Sequence, residues 1–333
     1  MIFNNNEIIS KKYILLDWNV IKYLKKPRNS SDVECNDLIE QIRKRYEFPF
    51  CESHLHDLAK SYSESNINLV NADLDFLQLL SDSVVIGVDE ENESFRLVKY
   101  SPAKLFQEII NESPSKPNIT SEMNPQSIFK VDMQELAQDH PMRSMLEKTG
   151  GVYGPGIMAN WMNSLFELLF NEIDDYKQFR EYVKKLKMDL ENENSQGFLT
   201  QSDLAYKNFL LQHMMPFIDS LEIEKKDELV EIWKDVITKW LQMRYQKEVP
   251  FGELITTAYV MLDFHPLFKE KLKKKKNTLS NITRDSKMIY YAAFSKYFVT
   301  EDKECLDKTE FIFQAFKCDA KVINMEQFLK KFS

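Results

Sequence analysis

Two short apolar runs near opposite ends of the chain each stop at an acid, and no other feature of the sequence constrains the fold as much. The first is Tyr13-Ile-Leu-Leu-Asp17 and the second is Phe298-Val-Thr-Glu-Asp302. Both are rich in strand formers. A brief, unbroken apolar run with polar flanks is how a strand covered on both faces reads. In open α/β sheets, ligands bind outside the carboxyl ends of the strands, where strand order reverses. Two such strands laid side by side bring their terminal carboxylates together. Crowded carboxylates repel one another unless a cation sits between them, and hard cations such as magnesium prefer oxygen ligands. The pattern predicts a metal site split across the two ends of the sequence.

With 333 residues the chain has room for one large domain or two. Its formal net charge of −8 argues against a surface that binds nucleic acid everywhere, so any such contact falls to local basic patches. Glycine is scarce, with 7 residues, four of them between Gly150 and Gly156. In a chain rich in Lys, Glu, Leu and Phe, this scarcity predicts much helix and few tight turns. Cys35, Cys51, Cys305 and Cys318 form no Cys-x-x-Cys pair, which fits small buried hydrophobes in a reducing compartment better than a zinc site. The N-terminus lacks the basic start and long apolar run of a signal peptide. No stretch approaches the roughly 18 apolar residues of a membrane span. The expectation is a soluble, cytoplasmic protein with no membrane partner.

Along the chain, Tyr13–Leu16, Phe48–Cys51, Val84–Val88, Phe298–Thr300 and Ala320–Ile323 read as strands. Helical spacing marks Asp32–Tyr46, His54–Tyr62 with Ser53 as its cap, Asn66–Leu80, Ile282–Tyr297, Lys303–Phe316 and Glu326–Phe332. Between Pro102 and about Pro266 the strand signal vanishes. Long amphipathic segments take over, with aromatic stripes at Trp161, Phe166 and Phe170 and at Trp233 and Trp240. The expected organisation is an α/β domain built from residues 1–100 and 267–333, interrupted by a helical insertion, 101–266. The Gly150–Gly156 segment is no phosphate loop, because no Gly-Lys-Ser/Thr follows it; it reads as a turn between helices.

Four acids fall at the edges of α/β elements. Asp17 ends the first strand, Asp57 lies on the helix after the second, Asp285 opens a helix, and Asp302 follows the Phe298 strand. This constellation resembles the PIN-domain nucleases. That family carries an Asp at the end of its first strand with a small polar residue two positions on, as in Asp17-Trp-Asn19. It carries an acid on a following helix, matched by Asp57 in Ser53-His-Leu-His-Asp-Leu58. A third acid opens a helix, matched by Asp285, and a fourth lies in a Thr-x-Asp unit, matched by Thr300-Glu-Asp302. The closing strand and helix, Lys321-Val-Ile-Asn-Met-Glu-Gln-Phe328, also look like the family. The resemblance covers the two ends and not the middle. The second acid is usually Glu in the family, and Glu52 stands as the alternative to Asp57.

The resemblance implies a PIN-like parallel sheet flanked by helices and a site holding Mg²⁺ or Mn²⁺. It implies hydrolysis of phosphodiester bonds, with RNA preferred to DNA. Asp17, Asp57, Asp285 and Asp302 would be the catalytic and metal-binding acids, with Asn19 and Thr300 orienting them from behind. Many relatives act as toxins or defence effectors restrained by a protein partner. Lys273, Lys274, Lys275 and Lys276, with Arg284 and Lys287, form a basic run suited to a nucleic-acid backbone; a solvated linker reads the same way. His54 and His56 lie close to Asp57 but two residues apart, on different helix faces.

Each acid also has a plainer reading. Asp17 suits a helix N-cap, and Asp285 suits the positive end of its helix. Two other functions compete. A phosphatase of the haloacid-dehalogenase type also starts at a strand-end Asp, but it needs a second Asp at position 19, where Asn19 stands. A catalytically silent PIN-like module that binds RNA or a protein is the other; Asp in place of Glu at position 57 keeps it open.

Overall fold

The structure is a computed structural model. It describes residues 8–9, 11–89, 94–112, 133–134, 138, 143, 147, 212–213, 215–242, 245, 248–263, 265–268 and 279–333. The chain divides into two units, residues 1–117 with 281–333, and residues 118–280. In chain order the elements are β1 (Ile8–Ile9), β2 (Ile14–Leu16), α1 (Trp18–Lys25), α2 (Ser30–Ile42), α3 (Glu52–Ser61), α4 (Ile67–Ser81), β3 (Val84–Asp89), β4 (Ser94–Lys99) and α5 (Pro102–Glu112). Next come α6 (Met215–Ser220), α7 (Lys226–Leu241) and α8 (Phe251–Leu262), then α9 (Leu279–Ala292), β5 (Tyr297–Val299), α10 (Lys303–Ala315), β6 (Lys321–Ile323) and α11 (Met325–Phe332).

In the first unit β2, β5 and β6 form a small parallel sheet flanked by helices, with β5 in the middle. Leu16 stands opposite Val299, and Val299 opposite Ile323. Both faces of the sheet are covered. Ile14 and Leu16 join the cluster formed with α1 to α5, while Leu15 and Phe298, pointing the other way, are fully buried as well. On its other side β2 bridges in parallel to Glu47, and Phe50 bridges in parallel to Val85 of the antiparallel sheet β1-β4-β3. The expected Phe48–Cys51 strand is thus reduced to two bridges that link the sheets. From β2 the chain works outward to Glu47–Phe50 and then β3, whereas β5 and β6 lie on the opposite side. The direction of winding therefore reverses between β2 and β5.

Two strands were not legible in the sequence. β1 has two residues, too few to show a period, and β4 follows a segment that reads as an acidic loop. The helix α5 sits with the first unit, through Leu105, Phe106 and Ile109, which pack among α3 and α4. The sequence reading assigns it to the insertion because no strand follows it. The cap of α3 also differs: Cys51, not Ser53, occupies it. In the second unit α7 packs on α6 and α8, with Trp233 fully buried and Phe217 ring-to-ring with Trp240 at 5.5 Å. Of the long amphipathic segments expected in the insertion, most of 132–148, all of 157–191 and most of 201–218 fall outside the described residues, as do Gly150–Gly156 and Trp161, Phe166 and Phe170. Among the described residues no helix is long and apolar enough to cross a membrane.

Helix α10 ends in a left-handed residue. Lys317 has φ 54°, its N–H donates to the Gln314 carbonyl, and the Cys318 N–H donates to Phe313 at 2.9 Å. This closure favours glycine, which has no Cβ to clash there. Lys317→Gly should stabilise the fold by about 1 kcal/mol, read as a higher urea midpoint; an unchanged or lower midpoint would refute the assignment of strain.

Candidate functional site

The first unit's site lies at the carboxyl ends of β2 and β5, where winding reverses. Pairing of the two strands runs one residue past them. The Asp17 N–H donates to the Val299 carbonyl at 2.9 Å, which sets Asp17 beside Thr300. The fully buried Thr300 hydroxyl donates to Asp17 Oδ2 at 2.8 Å. The Asp302 N–H in turn donates to Thr300 Oγ1 at 3.2 Å. That donor occupies the hydroxyl's acceptor side and aims its proton at Asp17. Thr300 therefore fixes the orientation of the Asp17 carboxylate.

Asp17 occupies the cap position of α1, yet its side chain makes no capping bond. Helix capping does not account for it. Asp302 differs: its Oδ1 accepts from the N–H groups of Glu304 and Cys305, at 2.9 and 3.0 Å, and so caps α10. The Asp17 residue keeps some contact with solvent, but its carboxyl is enclosed by protein. Burial pushes that carboxyl up to about 6. The Thr300 hydroxyl and the Trp18 N–H oppose the shift, and the charges of Asp302 and Asp57 add to it. Two other acids thus act on Asp17 here.

Asp57 lies on α3 with Oδ1 3.7 Å from Nη1 of Arg284 on α9. Burial raises its carboxyl above the ordinary value, and the charges of Arg284, Lys22 and His56 pull the other way. Arg284, expected to face nucleic acid, lies beside an expected metal ligand. Asp285 is exposed on α9, and its charge acts on Arg284. Asn19 lies half-buried on α1, and Lys287 is exposed on α9. Lys273 to Lys276 lie outside the described residues. Glu52, the alternative second acid, accepts from or pairs with His56 Nε2 at 3.0 Å, and this contact lowers its carboxyl, with help from the charge of Lys287.

Two residues have roles that the sequence reading missed. The His54 ring is fully buried. The Cys51 N–H donates to its Nδ1 at 3.1 Å, so Nε2 carries the proton and donates to the Leu16 carbonyl at 2.9 Å. His54 thereby pins the end of β2, one residue before Asp17. The spacing was a signal: a polar side chain three residues past a helix cap reaches back to the cap's N–H. Glu301, between Thr300 and Asp302, accepts from the Met325 N–H at 2.9 Å and lies 3.4 Å from Arg28, whose guanidinium grips Asp32 with two bonds and whose backbone N–H adds a third. It fastens the β5–α10 loop to the start of α11.

The donor chemistry here suits a hard divalent cation. It consists of carboxylate oxygens that repel one another, one of them enclosed and aimed by a hydroxyl. Among the described residues, no group of three or more His, Cys, Asp or Glu side chains is gathered closely enough to be a metal cage. Magnesium commonly binds through one or two carboxylates and keeps water for the rest of its shell, and Asp17 and Asp302 are the carboxylates at these strand ends that could supply them. Comparisons of the chain with family models, with curated proteins and with solved structures gave no match.

Proposed function

We propose that this protein is a metal-dependent nuclease of the PIN-like kind, acting on RNA in preference to DNA. One observation supports this above the rest. The enclosed Asp17 carboxylate stands at the reversal of winding, aimed by Thr300 and crowded by the charges of Asp302 and Asp57. Asp17 and Asp302 would hold Mg²⁺ or Mn²⁺, and Asp285 would join them directly or through water. When bound, such an ion stabilises charge on a phosphodiester and activates water to attack it. The chain's own task is to hold the carboxylates in place, Thr300 by aiming Asp17 and His54 by pinning the end of β2.

A second reading keeps the PIN-like architecture without the chemistry: a silent module that binds RNA or a protein. The Arg284–Asp57 pair favours it, since it satisfies one acid internally. Cleavage of labelled single-stranded RNA and DNA with Mn²⁺, Mg²⁺ or EDTA separates the two. The nuclease reading expects metal-dependent cleavage that falls to the EDTA background in Asp17→Asn. Absence of both cleavage and metal binding would leave the silent module.

A further inference from the structure

Trp18 stands directly after Asp17 and opens α1 at the carboxyl end of β2. Its side chain is half-buried. The indole lies against the His54 ring, with centroids 6.1 Å apart and planes inclined at 35°. His54 is itself bonded to the Leu16 carbonyl at 2.9 Å. The indole is therefore backed by a ring that cannot shift without giving up that bond, and it keeps part of its surface in water beside the candidate site.

Lys22 lies four residues further along α1, so it shares a face with Trp18. It is exposed, and its charge acts on Asp57 of α3. One face of α1 is thus turned toward α3, with Trp18 against His54 and Lys22 on the side of Asp57. Aromatic side chains bind the bases of single strands by stacking, whatever the base, and cations beside them bind the backbone. Charge selects this occupant. A phosphate chain approaching Asp17, Asp302 and Asp57 is repelled, and Lys22 offsets that repulsion at Asp57. A cationic ligand also suits an indole, but here it would meet the like charge of Lys22. Bases inside a duplex are already stacked on one another, so only an unpaired base can reach the indole.

We propose that Trp18 stacks on an unpaired base of single-stranded RNA and that Lys22 holds the phosphate next to that base, which makes this face of α1 the substrate-binding edge of the site. The inference rests on the nuclease reading above. It places strand recognition on α1, outside the basic run that starts at Lys273.

Fluorescence anisotropy of the full chain in EDTA, where the nuclease reading expects no cleavage, tests it. The probes are a labelled single-stranded RNA and an abasic ribose-phosphate strand of the same length. Wild type should bind the base-bearing strand more tightly by roughly 5- to 150-fold, the worth of one stacked base. Trp18→Leu should bring the two affinities within about twofold of each other, while Trp18→Phe keeps most of the preference. Lys22→Gln should weaken both strands alike and reduce the slope of log affinity against log salt by about 0.7, the share of one phosphate. Equal binding of the two strands by wild type, a preference that persists in Trp18→Leu, or a salt slope unchanged in Lys22→Gln would overturn the inference. Binding of neither strand by wild type would overturn it too. Metal-dependent cleavage by the same protein would still leave the nuclease reading standing, so the two fail separately. If a thermal melt shows Trp18→Leu unfolded, the wild-type preference and Lys22→Gln decide.

Discussion

In EDTA at neutral pH, Asp17→Asn should be more stable than wild type by about 1–3 kcal/mol, although it loses the activity proposed here. The Asp17 carboxyl has a folded value of about 6 against an ordinary 3.8. A raised carboxyl is costly in its ionised form. The cost is absent below the unfolded value and complete above about 6. Two units at about 1.4 kcal/mol each set the upper limit, and the residue's remaining contact with solvent reduces it. Asparagine is nearly the same shape, and its carbonyl oxygen still accepts from Thr300. For a unit of this size the gain corresponds to a rise in Tm of roughly 2–4 °C per kcal/mol. It should vanish near pH 4, where both forms are neutral. Divalent metal should close the gap from the other side, because a ligand that binds only the folded wild type stabilises it by mass action. Equal or lower stability of the variant at neutral pH in EDTA would show that Asp17 is not held under electrostatic strain. Stability given up at a site and recovered on binding is the usual mark of function, and this measurement looks for it without a substrate.

What the sequence disclosed here followed from local pattern, and what it hid depended on packing. Tyr13–Leu16 and Phe298–Val299 are legible because a strand buried on both faces leaves an unbroken apolar run. Their pairing puts Asp17 next to Thr300, as their shared acid ending suggests. Helices α4, α7 and α10 announce themselves by apolar spacing. The pairing of Arg284 with Asp57 was hidden, because it depends on residues of α9 and α3 meeting across more than two hundred residues of chain. The left-handed Lys317 was hidden too, since lysine gives no sign of the conformation that glycine would advertise. Glu301 was overshadowed by its neighbours; it serves α11 and Arg28, not the crevice.

His54 should give this unit an acid sensitivity that the wild type conceals. Burial holds the imidazole down at about 4, against an ordinary 6.5. Its Nδ1 already accepts the Cys51 N–H and its Nε2 proton serves Leu16, so the folded site has no place for a second proton. The unfolded chain takes one up below about 6.5. Stability from the neutral ring is therefore complete above that pH and is lost as pH falls toward 4, by up to about 3 kcal/mol. Asp17 has the opposite sign over nearly the same range, because the folded state gains when that carboxyl takes up its proton between about 6 and 3.8. In the metal-free wild type the two slopes largely cancel. Asp17→Asn removes one of them, so its urea midpoint should drop clearly between about pH 6.5 and 4.5 while that of wild type stays nearly level. Divalent metal bound as proposed would keep Asp17 ionised and should make the wild type behave like the variant. His54→Gln in the Asp17→Asn background should flatten the curve again, at lower overall stability. A variant as level as wild type over that range would mean that the ring is not held neutral, and the pin on the end of β2 would then need another explanation.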